Sequence, residues 1–262
     1  VRRTAFAVLG IVAATTVGLT GCQSGQDGKD GKDDGHSASA SAASASAEPF
    51  AGLSGAEIAD RALAATTGAS SLRMKGDIPD DESGDTISID MALNREGECA
   101  GTLSIGGQGK AELIKTGDTL YMKYDEAFLR AQNEGEPEAD TDAAVAMLAG
   151  KWTSMAAKGQ DAKDIAGFCD LDSVLGDAED TGSNATRGET TTVDGTPALV
   201  LHEKDGADRY TVYVATEGKP YLLRVDSSSA KDPGSIAFGD YDKPVAAERP
   251  GGEIVDLDAL GG

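Results

Sequence analysis

Residues 86–94, TISIDMALN, alternate strictly: Ile87, Ile89, Met91 and Leu93 fall on one side, polar or small residues on the other. A period of two marks a strand with one dry face. Three more such segments follow at short intervals, CAGTLSI (99–105), KAELIKT (110–116) and TLYMKY (119–124). The stretches between them, REGE, GGQG and GD, carry the Gly- and Asp-rich chemistry of tight turns. Four strands joined this way predict an antiparallel meander.

A different period precedes them. Ile58, Ala59, Ala62, Leu63 and Ala65 recur on one helical face until Gly68, and Ser54 with Glu57 has the spacing of a capping box. After the meander, Asp125 to Ala131 reads as a short amphipathic helix and NEGEPEAD as a loop. Thr141 or Asp142 is expected to cap a helix through Leu148, ended by Gly150. Beyond Lys151-Trp152-Thr153, residues 161–168 and 170–176 read as two short helical turns carrying Ile165, Phe168, Leu171, Val174 and Leu175. Strand patterns then return in GETTTVDG, TPALVLHEK, RYTVYVAT, KPYLLRVDSS and SIAFGDYD. Helix, four strands, helices, five strands is an α+β pattern with one large antiparallel sheet. A sheet of about nine strands twists and must curl or close to manage its faces and edges.

The segments GDTLYMKYDEAFL, AGKWTSM, VDGTPALVLHEKDG, TVYVATEGKPYLLRVD and FGDYDKPV, in this order, resemble the LolA-like (LppX/LprG-type) lipoproteins of actinobacteria. The resemblance runs from Ser54 to Leu257 and is distributed, with no single sharp motif. It implies a strongly curved antiparallel sheet, an unclosed half-barrel, with helices packed on its concave face and an apolar cavity between them. In that family the cavity carries lipids or acylated tails, although many members have no assigned ligand.

On that expectation Ile87, Ile89, Met91, Leu93, Leu103, Ile105, Leu113, Leu120 and Met122 point into the concavity, facing Met147, Leu148 and Trp152. Two readings stay open: each residue is ordinary core, or the set partly lines a cavity. The methionines suit adaptable contacts, and a 5% aromatic content suits acyl chains over flat rings.

The amino-terminal residues change the picture. Arg2 and Arg3 precede an apolar run from Ala5 to Leu19, shorter than the roughly 20 residues that span a bilayer and built like a secretory signal peptide. Leu19-Thr20-Gly21-Cys22 resembles the lipobox of bacterial lipoproteins, in which the cysteine thiol is diacylglycerated and becomes the first mature residue. An ordinary signal peptide with an incidental cysteine is the alternative. The expected organisation is therefore a signal peptide at 1–21, a lipidated Cys22 with a tether to residue 49, and a folded domain over 50–262. Two acyl chains hold a protein firmly where one does not, so the expected location is the outer face of a cytoplasmic membrane. The tether, rich in Gly, Ser, Ala and alternating charge, has no apolar bulk from which to build a core. As a flexible coil it reaches about 30 Å.

With Cys22 assigned to lipid, Cys99 and Cys169 remain as an even pair in an oxidising compartment. A disulfide between them is expected, with two buried thiols as the alternative.

The chain has 23 basic and 45 acidic residues, a formal net charge of −22 that removal of Arg2 and Arg3 makes more negative. It has no basic stripe for a phosphate backbone, which argues against nucleic acid as a partner. Anionic head groups repel such a surface, so membrane residence falls to the anchor.

Catalytic signals are weak. Of the two histidines, His36 lies in the tether and His202 in a strand. HExxH, GxSxG and CxxC are missing from the sequence, so neither an enzyme, a metal site nor a cofactor is expected. An EF-hand beginning at Asp30 fails, since Lys32 and Ser41 stand where acids are required. GGQGK joins two strands and reads as a hairpin turn. Asn184-Ala185-Thr186 is a sequon by pattern alone. The expected partner is a lipid or acylated ligand, with docking to another envelope protein as the alternative, and the chain is expected to act as a monomer.

Overall fold

The computed structural model describes residues 48–79, 85–158, 165–175, 184–229 and 233–260. The expected signal peptide, Cys22 and nearly all of the tether lie outside these residues, as does the first half of the helical turn expected at 161–168.

Helix α1 (Gly55–Thr67) starts at the expected cap. The Ser54 hydroxyl accepts from the Glu57 amide at 3.2 Å, and the Glu57 carboxylate accepts from the Ser54 amide at 2.8 Å. Gly55 in its first turn is required by packing: a Cβ there would lie 2.3 Å from the Ala185 carbonyl oxygen. Arg187 secures the approach to the helix, donating to the carbonyls of Pro49, Phe50 and Leu53.

The strands are β1 (Ser71–Pro79), β2 (Thr86–Asn94), β3 (Cys99–Ile105), β4 (Gly109–Thr116), β5 (Thr119–Tyr124), β6 (Trp152–Ala156), β7 (Thr186–Val193), β8 (Thr196–Asp205), β9 (Asp208–Ala215), β10 (Leu222–Ser228), β11 (Pro233–Gly239) and β12 (Ile254–Asp256). Helices α2 (Glu126–Gln132) and α3 (Glu138–Leu148) connect β5 to β6, and α4 (Leu171–Leu175) follows β6.

All twelve strands form one sheet in the order β12-β6-β5-β4-β3-β2-β1-β11-β10-β9-β8-β7. The sheet does not close on itself, and with helices against one face it makes an open α+β half-barrel. The expected meander is present as β2 to β5.

Three expectations need correction. The sheet has twelve strands where about nine were expected, because β1, β6 and β12 were not read as strands. It is not wholly antiparallel, since β12 pairs with β6 in parallel. Helix α3 begins at Glu138 with Pro137 as its cap, four residues before Thr141, the first of the two expected caps; a proline at the helix boundary gives up no intrahelical bond, since the first amides of a helix have no partner within it.

Two apolar clusters pack on the inner face of the sheet, the one that carries α1 and α4. One joins Leu72, Met91, Leu93, Leu113 and Leu120 of the sheet to Leu171 and Leu175 of α4. The other joins Leu199, Leu201, Val212 and Val214 to Ile58 and Ala62 of α1. The disulfide between Cys99 and Cys169 fixes the segment carrying α4 to β3, with both cysteines fully buried.

After β11 the chain runs as a strap across the outer face to reach β12. Seven strand spacings separate β11 from β12, about 34 Å at the usual 4.8 Å. Its near end is pinned by Asp242, whose carboxylate accepts from the Ser70 amide (2.9 Å), the Tyr221 hydroxyl (2.6 Å) and Lys219 Nζ (3.0 Å). The Tyr221 bond, with those from Ser70 and Lys219, holds the Asp242 carboxyl far below the usual carboxylate range. Bonds to Tyr221 and Asp242 raise the Lys219 ammonium to about 12. The far end is held by Asp258, which accepts from the Ala156 amide at 2.8 Å.

Candidate functional site

The candidate site is the less covered end of the inner face. Cross-strand partners share a face, so register assigns each side chain. Ile78, Ile87 and Ile105 stand in one row, and Gly76, Ile89 and Leu103 in the next. Ile236 lies beside Gly76 on β11.

Burial falls along each of these strands. On β2, Leu93 and Met91 are 0% and 5% exposed, whereas Ile89 and Ile87 are only partly buried. On β1, Leu72 is buried while Met74 and Ile78 are partly buried, and β3 goes from buried Cys99 to partly buried Leu103 and Ile105. The cause is α4, which seals the Leu72–Leu93–Leu120 end. What remains is a strip of half-buried aliphatic side chains.

At its centre, Gly76 leaves a recess between Met74, Ile78, Ile89 and Ile236 of about 10 Å³, scarcely room for one water. The glycine is there for close approach, since a Cβ at Gly76 would lie 2.0 Å from the Ser235 carbonyl oxygen. Gly101 on β3 is similar, its Cβ falling 2.1 Å from the Asp90 oxygen. Glycines at such points let neighbouring backbones crowd where a sheet bends.

The remaining expected lining residues divide. Leu113 and Leu120 are buried in the first cluster, and Met122 packs at its margin. Leu148 is half-buried, but Met147 is 47% exposed on α3, and α3 packs against α2. Trp152 does not face the strip. It pairs with Lys123, next to Met122 and therefore on the opposite face, where the Lys123 ammonium lies 4.8 Å from the indole centroid. Sequence reasoning missed Met74, Ile78 and Ile236 because β1 was not recognised and β11 was not assigned a face. Their signal was period two in SLRMKGDIP, broken by Gly76.

His202 is exposed on β8 between Thr186 and Thr211. Among the described residues no group of three or more His, Cys, Asp or Glu is placed to hold a metal ion. GGQGK forms the β3–β4 turn, closed by the Gln108 amide donating to the Ile105 carbonyl. Among the described residues no helix is long and apolar enough to cross a membrane.

An open half-barrel with helices on its inner face is the fold of LprF from Mycobacterium bovis. That structure matches with a TM-score of 0.53 at 15% identity, over 76% of this chain and 97% of LprF. The Mycobacterium tuberculosis lipoprotein LppX matches with a TM-score of 0.47 at 16% identity, over 74% of this chain and 97% of LppX. No protein-family model matches the sequence, and no curated protein does. The likeness to LprF establishes the fold.

Proposed function

We propose that this chain is an extracytoplasmic lipoprotein, anchored through Cys22, that binds a lipid or acyl chain on the inner face of its half-barrel without covalent chemistry. The observation carrying the reading is the strip of Met74, Ile78, Ile87, Ile89, Leu103, Ile105 and Ile236, aliphatic throughout yet only partly buried. The LolA-like resemblance and the fold shared with LprF support it.

Binding would draw on apolar burial, about 0.8 kcal/mol for each methylene removed from water. A recess of about 10 Å³ admits no acyl chain as it stands, so a chain would lie along the half-buried strip that α4 leaves open. The disulfide ties down α4 at the sealed end of that face, and α1 packs on β8 and β9 rather than over the strip.

The test is native mass spectrometry of the anchorless protein made in an actinobacterial host. Co-purifying lipid is expected; its consistent absence, with an inner face packed solid in an experimental structure, would overturn the reading. Cys22→Ala is expected to release the full-length protein from the membrane fraction.

A second reading is that the scaffold docks another envelope protein, and the small size of the Gly76 recess favours it. Pull-down from membranes separates the two, since docking requires a protein partner and no lipid.

A further inference from the structure

A larger opening lies on the other side of the sheet. Between the strap and the outer face is a half-open cleft of about 360 Å³, lined by Arg73, Ala92 and Ala100 from the sheet and by Asp240, Lys243 and Val245 from the strap. Register places it on the outer face: Arg73 pairs with Ala92 and Ala92 with Ala100, each adjacent in sequence to an inner-face residue. Its volume falls within the range of small-molecule sites, about 300–1,000 Å³.

The floor consists of methyl groups and backbone, and Val245 forms an apolar wall beside Pro244. The rim is charged. Arg73 Nε donates to Asp90 at 2.6 Å, Lys75 lies 4.0 Å from the same carboxylate, and Lys243 pairs with Asp240 at 2.7 Å. The lining itself carries two cations, Arg73 and Lys243, and one carboxylate, Asp240, while Asp90 and Lys75 stand outside it beside Arg73, which leaves one positive charge in excess on a chain of net charge −22. Arg73 and Lys243 keep exposed side chains, at 47% and 67%. A ligand with a single negative charge and a small apolar body complements both parts.

The geometry points to a second binding site beneath the strap, on the face opposite the proposed lipid strip, that takes a short-chain carboxylate. The carboxylate lies against Arg73 and Lys243, and its chain lies over Ala92, Ala100 and Val245. No bond is made or broken.

The experiment is a backbone-amide NMR titration of the domain with octanoate below its micelle range, with octanol and octylammonium as ligands of matched chain length and different head charge. Octanoate is expected to move the amides of Ala92, Ala100 and Val245 while octylammonium leaves them in place. The double variant R73Q/K243Q is expected to weaken octanoate binding at these amides about tenfold, from loss of charge-assisted hydrogen bonds. Ala100→Leu fills the cleft from its floor and is expected to abolish those shifts while inner-face lipid, read by native mass spectrometry, is unchanged. Shifts confined to Ile89 and Leu103, equal binding of the three ligands, or an undiminished affinity in both folded variants would overturn the assignment. Each leaves the lipid proposal to stand or fall on its own measurement.

Discussion

Cys99 and Cys169, 70 residues apart in sequence, are bonded with their Cα atoms 5.1 Å apart, and neither is exposed. The bond joins the first residue of β3 to the segment that leads into α4, so that Leu171 and Leu175 are held over Leu72, Leu93 and Leu120. Arg95, in the β2–β3 turn, pairs with Asp172 at the start of α4 and reinforces the same attachment. Closure of a loop this long restricts the unfolded chain by about 4 kcal/mol in the loop-entropy model, with measured values of about 2–5 kcal/mol. The double variant C99S/C169S is expected to lose stability within that range in urea denaturation. Burial should also keep the bond intact in mild dithiol until the protein is unfolded, which alkylation and mass mapping would check.

A second expectation concerns acid. Asp242 ties the end of α1, the β9–β10 turn and the start of the strap through Ser70, Tyr221 and Lys219. Its carboxyl titrates lower in the folded protein than in the unfolded chain, where the ordinary value is about 3.9. The stability it contributes is therefore present above about pH 4 and is lost as pH falls from there toward the lower folded value. Asp242→Asn should lower stability at neutral pH and flatten the fall in stability below about pH 4, read from urea midpoints across pH. Lys219 behaves oppositely: raised to about 12, its contribution persists at neutral pH and is lost as pH climbs from about 10.4 through that value.

The sheet's close approaches give a third. A Cβ added at Gly101 would lie 2.1 Å from the Asp90 oxygen and 2.7 Å from the Met91 Cα, both backbone atoms that yield only if the strands part. Gly101→Ala should cost about 1–3 kcal/mol, the usual range for overpacking. Gly107→Ala is the comparison: its Cβ meets nothing within 4 Å, and its cost comes from a φ of +73° alone. Urea denaturation of the two variants separates crowding from backbone strain.

The same glycines explain what could be read in advance. Strands β2 and β3 were legible to the residue because their inner positions alternate and Gly- and Asp-rich turns bound them. Strand β1 alternates as well, but its inner series is Leu72, Met74, Gly76, Ile78, and the glycine and Pro79 blur the signal. Strand β6 presents Thr153 and Met155 inward, with the bulky Trp152 outside, so its largest apolar residue marks the wrong face. Strand β12 has three residues in a parallel pairing with a distant partner, which no local pattern reveals. The strip was half legible for the same reason: its β2 and β3 members follow from period two, while Met74, Ile78 and Ile236 depend on β1 and β11 lying side by side. The strap cleft was not legible, since it arises where a segment without regular structure crosses small side chains.

The open question for the inner face, core or lining, is decided by pairing two substitutions on one strand. Leu93 is fully buried under α4, so Leu93→Ala leaves a cavity and should cost about 2–5 kcal/mol. Ile89 stands two inner positions away, partly buried beside the Gly76 recess. Its replacement by Gln removes less buried apolar area and leaves the amide near solvent, so the stability cost should be well below that of Leu93→Ala. If the strip receives an acyl chain, Ile89→Gln puts a polar amide against it, and burying an amide without a partner costs about 1–3 kcal/mol. That amounts to roughly 5- to 150-fold in affinity. Native mass spectrometry should then show Ile89→Gln folded but depleted of lipid, and Leu93→Ala less stable with lipid retained. Equal destabilisation by both, with no change in bound lipid, would make the strip ordinary core.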